Sequence, residues 1–375
     1  MQHEREFNNF DFVRLVAASM VVVAHSYDLL GRKAYEPLRV LTGHDELSLG
    51  VLGVFIFFSM SGYLITQSLS RSSSLKTYFA KRALRIFPAL ILDILIAVFV
   101  FGVISTTLPL PSYFTDPLTW EYLGNFSLYH ISYQLPGVFA DHPFTVVNGS
   151  MWTLPHEFTC YVGLAVLPVV GLLKRRGLLL GIWFVALAVR SVFQTQFSTT
   201  LIFSLLPLAL YFGMGALHYL YRDRIRYNKY FALTLLGLVV LAFAFHLAPS
   251  TLGYFIYPYC LLTFVFTPNR ILGQAGRLGD FSYGTYIYSF PLQQMIIQSL
   301  GVALPIWEMI ALSFLLTIPF AALSWFTVER PALKLKDRMF TRRSIEFSPY
   351  VPTVEHMGAC ALKTLTTKEV TEPLA

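Results

Sequence analysis

Charge is what this chain has least of. Only 13% of its 375 residues are Asp, Glu, Lys or Arg, about half the ~25% share of an ordinary soluble domain. That shortage excludes a pair of soluble domains, which the length alone would allow. With 55% hydrophobic and 16% aromatic residues, a disordered or fibrous chain is excluded as well. Cysteine is equally scarce. Cys160, Cys260 and Cys360 are spread about a hundred residues apart, which offers neither a disulfide framework nor a metal-ligand spacing. No internal repeat is visible, and a mean hydropathy of +0.58 describes a polytopic membrane protein. In a soluble protein the net charge of +7 would suggest nucleic acid; here it is the Lys and Arg excess of cytoplasmic loops, and no nucleic-acid partner is expected.

A helix that crosses a hydrocarbon core needs about 20 mostly apolar residues. Ten segments qualify: 12–27, 51–69, 89–107, 157–173, 178–193, 201–219, 231–247, 252–266, 285–300 and 306–327. The predicted fold is therefore all-α, a polytopic membrane protein of about ten transmembrane helices. Lys and Arg collect on alternate connections: Arg71 to Arg85, Lys174 to Arg176, Arg222 to Lys229, Arg270 and Arg277, and Arg330 to Arg343. The intervening stretch 108–151 holds neither residue. The positive-inside rule then puts both termini in the cytoplasm. One connection dissents, because Arg32, Lys33 and Arg39 fall on the outer side. Ala24-His25-Ser26 has the small residues of a signal-peptide cleavage site, but Asp11 and Arg14 interrupt the apolar run, and retention is the expectation. Residues 1–340 form one membrane domain, followed by a polar, partly disordered cytoplasmic tail over 341–375.

Ionisable side chains inside spans are costly, and each is a functional hypothesis. Arg14 and His25 share one face of the first span, since eleven residues give a rise of ~16 Å and a net rotation of about 20°. Arg14 sits near the inner end and His25 near the outer one. Glu157 enters the fourth span from the outer side, with Tyr161 on the same face at i, i+4. Arg82 and Arg85, at i, i+3, form an inner cationic patch suited to phosphate. Each has a plainer reading: Arg14 as a snorkelling anchor paired with Asp11, His25 as an interfacial histidine, Glu157 as a complement to the helix dipole, and the arginines as topology signals. The aromatics of 108–151, among them Tyr113, Trp120, Tyr122 and Tyr129, read mostly as an interfacial belt.

With these residues in place, the chain resembles the membrane acyltransferase 3 family, the bacterial O-acyltransferases of O-antigens, exopolysaccharides and Nod factors. The resemblance runs from Asp11 to Pro331. Its most specific element is Arg14 and His25 at the family's Arg-x10-His spacing. Phe57 to Leu64, including Ser61, Gly62 and Tyr63, is similar to the second-span motif, and Arg82 to Pro88 to the Arg-x-x-Arg motif. Asn148-Gly-Ser150 with Trp152 and Glu157 is similar to the fourth motif, Ser282-Tyr283-Gly-Thr-Tyr286 to the ninth-span signature, and Val328-Glu329-Arg330-Pro331 to the closing one. The chain departs from the family at Ser289, where many members carry His, and the esterase-like domain fused to some members is not expected here.

The resemblance implies a donor of cytoplasmic acyl-CoA, acetyl-CoA in the first instance, with its phosphates on Arg14, Arg82 and Arg85, and no metal. It implies an acceptor hydroxyl on a surface polysaccharide or lipid-linked oligosaccharide, in a bacterial inner membrane beside membrane lipids and polysaccharide-biosynthesis machinery. His25 would be the general base, or would carry the acyl group, and Glu157 would hold its tautomer. The rival class is a transporter or flippase with His25 and Glu157 as a proton relay.

Overall fold

In a computed structural model, the structure describes residues 8–44, 47–193, 201–245, 250–277 and 279–340. The predicted tail over 341–375 lies outside the described residues, as do the first seven. Among the described residues ten long helices form and no strand: α1 (Phe10–Leu29), α2 (Leu49–Ser70), α3 (Leu75–Ile96), α4 (Thr153–Val169), α5 (Arg176–Phe193), α6 (Leu201–Leu220), α7 (Lys229–Ala244), α8 (Ser250–Phe266), α9 (Ser282–Leu300) and α10 (Ile306–Ser324). They fall where the ten apolar segments do. By length and apolar character five stretches can cross a membrane, namely α1, α2, α5, and the continuous helices Leu75–Ser105 and Ile306–Leu335. The remaining helices are shorter or less apolar.

Two boundaries differ from the sequence reading in ways that matter. α3 starts at Leu75 rather than near Ala89, because the Ser74 hydroxyl caps the Thr77 N–H and Lys and Arg are good helix formers. Arg82 and Arg85 therefore sit on a helix continuous with the apolar run, not in a loop. At the other end of the chain, α10 continues through a π-turn over Trp325–Glu329 into Arg330–Phe340, and that turn buries Glu329.

Glycines set the closest helix approaches. A Cβ on Gly62 of α2 would lie 1.9 Å from the Phe212 carbonyl oxygen of α6, and one on Gly215 of α6 would lie 2.0 Å from the Ser59 oxygen. Backbone therefore meets backbone, the way helices associate in lipid, where packing replaces the hydrophobic effect. Gly53 does the same for α2 against the Ala17 carbonyl of α1. α9 is the central element, buried from Gly284 to Gln294, as a helix enclosed on all sides must be. Large apolar side chains on α5, α7 and α10, such as Val185, Val240 and Leu315, are exposed and form the lipid-facing surface.

The stretch after α3 folds over one end of the bundle through short helices at Leu110–Thr115, Pro117–Glu121 and Tyr122–Ser127. Tyr113 and Tyr122 are fully buried there, while Trp120 and Tyr129 are exposed. The belt reading fails for the first two, because Tyr113 donates to the Val98 carbonyl and packs into the core. The dissenting Arg39 is buried against Asp28 at 3.0 Å, which removes one cation from the charge count on that side.

Candidate active site

A cavity of about 120 Å³ lies among α1, α2, α3, α4 and α9. Arg14 reaches it from α1, Phe57 and Ser61 from α2, Arg82 and Arg85 from α3, Thr153, Glu157 and Tyr161 from α4, and Ser282, Tyr283 and Tyr286 from α9. At about 30 Å³ per water that volume holds about four waters, enough for the tip of a long substrate.

Asp280, just ahead of α9, organises the cationic wall. Its Oδ2 accepts from Arg85 Nη2 at 2.6 Å and from Arg14 Nη1 at 3.3 Å, while Oδ1 accepts from the Ser282 N–H and hydroxyl. Burial would raise the Asp280 carboxyl, but the two guanidiniums and the Ser282 donors outweigh it and hold it at about 2. Arg14 also pairs with Asp11 at 3.3 Å, one turn earlier on the same helix, and Arg85 lies 3.7 Å from the buried Glu329. Arg85 and Arg82 stand over the rings of Tyr283 and Tyr161, at 5.7 and 6.0 Å from the centroids. Arg82 Nε is buried without a hydrogen-bond partner. The wall thus carries three guanidiniums, with donors left over for an anion.

Glu157 faces this cavity. Its Oε1 accepts from the Ser61 hydroxyl at 3.1 Å and, in a short bond, from the Tyr161 hydroxyl, so the i, i+4 pair on α4 meets a donor from α2. Tyr286 completes the same wall, donating to the Ser150 carbonyl and sharing a hydrogen bond with Thr153.

His25 lies outside the cavity. Its ring stands edge-on to Phe290, with centroids 5.0 Å apart, and its Nδ1 is buried without a partner. Glu157 and His25 share no hydrogen bond, so the expected contact between carboxylate and imidazole is absent. The reason is register: Glu157 is one turn inside Thr153, whereas Phe290, which touches His25, packs against Gly149, one turn before Thr153.

The other predicted residues form the frame. The Asn148 amide donates to Asp93 Oδ2 and the Ile287 carbonyl, each at 2.8 Å, and its oxygen caps the Ser150 N–H, tying α3, α9 and the start of α4 together. Trp152 packs against His156. Tyr63 packs against Phe10, Tyr219 and Phe266, and Gly62 lets α6 approach. Asp280 and Asp93 are absent from the sequence prediction. Asp93 interrupts a predicted span just as Arg14 does, so the same test would have found it; Asp280 stands two residues before the Ser282 signature, among arginines.

The family model described as an acyltransferase domain matches residues 7–328. The chain belongs to the membrane acyltransferase 3 family. It is similar to an "O-acetyl transferase" of Shigella phage Sf6, 31% identical over 349 residues, covering 91% of this chain and 98% of that protein. It is also similar to "Nodulation protein 10" of Rhizobium leguminosarum bv. viciae, 31% identical over 364 residues, covering 90% and 96%. No solved structure matches. The protein is thus a membrane acyltransferase, and the matches extend over both the arginine wall and His25.

Proposed function

We propose that this acyltransferase moves an acetyl group from cytoplasmic acyl-CoA to a hydroxyl of a surface or lipid-linked polysaccharide in a bacterial inner membrane. The observation that carries the reading is one cavity with three guanidiniums in its wall, one of them, Arg14, on the same helix as the His25 imidazole, whose Nδ1 has no partner. Phosphate oxygens suit guanidinium forks, and Arg82, with its unbonded Nε, is the first candidate to hold them. The two relatives' names support acetyl transfer to a hydroxyl in one case and a nodulation role in the other.

In the reaction, His25 takes the proton of the acceptor hydroxyl. The hydroxyl oxygen forms a bond to the acyl carbon, the carbon–sulfur bond breaks, and the departing thiolate receives the proton from the imidazolium. Glu157, bonded to Ser61 and Tyr161, orders the middle of the path rather than orienting the imidazole. Replacing His25 with Ala, with membrane abundance unchanged, abolishes transfer of label from acetyl-CoA to the glycan fraction. Turnover retained in that variant refutes the role of His25 as base, and glycan modification without donor consumption favours the transporter reading.

A further inference from the structure

The ring in contact with His25 is Phe290, which is outside the cavity lining. Tyr286 lines the cavity, and Phe290 lies one turn further along α9 on the same face. Ahead of α4, the 3-10 turn Gly149–Trp152 leads outward from Thr153 to Gly149. The buried Phe290 ring occupies this level, edge-on to His25 at 5.0 Å. A methyl group on Gly149 would come 2.6 Å from Phe290 Cε2. The ring therefore fills the space between the Gly149 backbone and the imidazole, and only glycine at 149 lets it lie there. A buried imidazole nitrogen without a partner is costly, and Nδ1 of His25 is in that state, behind the ring.

We propose that Phe290 is the specificity-determining gate between the cavity and His25. The acyl end of the donor meets the base only past this ring, and the passage that the ring leaves limits the length of acyl group transferred. This rests on the acyl-transfer reading above. It assigns Gly149 a part in specificity as well, as the residue that keeps the ring in place.

The test uses membrane vesicles from the protein's own host, deleted for the gene and supplied with each variant, given labelled acetyl-CoA or hexanoyl-CoA. Label is counted in the glycan fraction. Phe290→Ala raises the ratio of hexanoyl to acetyl incorporation about tenfold or more, the scale on which apolar pockets discriminate chain length, and Phe290→Leu raises it less. An unchanged ratio in either variant overturns the gate. Gly149→Ala, which pushes a methyl into the ring, cuts acetyl transfer, and adding Phe290→Ala or Phe290→Leu restores it. A double variant as inactive as Gly149→Ala at equal membrane abundance also overturns it. Wild-type vesicles that incorporate neither label sink the acyl-transfer reading itself, and the gate with it.

Discussion

Asp280→Asn removes one negative charge and keeps the side chain's shape, which makes it the sharpest probe of the arginine wall. Asp280 bridges Arg85 at 2.6 Å and Arg14 at 3.3 Å. Its carboxyl is held at about 2, against an ordinary value near 4. At about 1.4 kcal/mol per tenfold change in proton affinity, that difference corresponds to roughly 2 to 3 kcal/mol of stability at neutral pH. The figure is below the ~3–5 kcal/mol lost when one partner of a fully buried pair is removed. Two features account for the lower value: Arg14 and Arg85 are 28% and 24% exposed, and each keeps a second acid, Asp11 or Glu329. The assay is thermal unfolding of purified wild type and variant in detergent across a pH series. A carboxyl with a depressed folded value stabilises fully above its unfolded value and loses that contribution as pH falls through the folded one. The variant should therefore unfold several degrees lower at pH 7, with the gap shrinking below about pH 4 and closing near 2. Equal stability at pH 7, or a gap that widens on acidification, refutes the reasoning.

Arg85→Ala should raise the apparent KM for acetyl-CoA about tenfold or more, since a hydrogen bond to a charged group is worth ~1.5–3 kcal/mol; a fall in protein abundance with KM unchanged assigns Arg85 to the fold alone. Gly62→Ala should lower thermal stability by ~1–3 kcal/mol or more, because the new Cβ meets the Phe212 oxygen at 1.9 Å, and unfolding in detergent measures it. Asp93→Ala strands the Asn148 amide in the core and should cost ~1–3 kcal/mol. Asp93→Asn, which can still accept that bond, should cost less, and identical melting of the two variants refutes the hydrogen bond as the cause.

Much of this protein was legible in the chain itself. Shortage of charge and ten apolar runs specify helices in a membrane, because each backbone polar group must be satisfied within its own segment. The pairing of Arg14 with Asp11 and of Glu157 with Tyr161 followed from helical spacing, which determines which residues share a face. The belt reading failed at Tyr113 and Tyr122 because composition does not say which aromatics a folded loop turns inward.

What spacing along one helix leaves open is how that helix is rotated and shifted against its neighbours. Those parameters come from close contacts distant in sequence, such as Gly62 on Phe212 and Gly215 on Ser59. Tertiary structure alone therefore decided that Glu157 faces the arginine cavity rather than His25. It made Asp280 the shared anion of Arg14 and Arg85, although 266 residues separate it from the first. It also set the Phe290 ring against the imidazole. The sequence by itself determined that Arg14 and His25 share one face of one helix; packing decided which neighbours each of them meets.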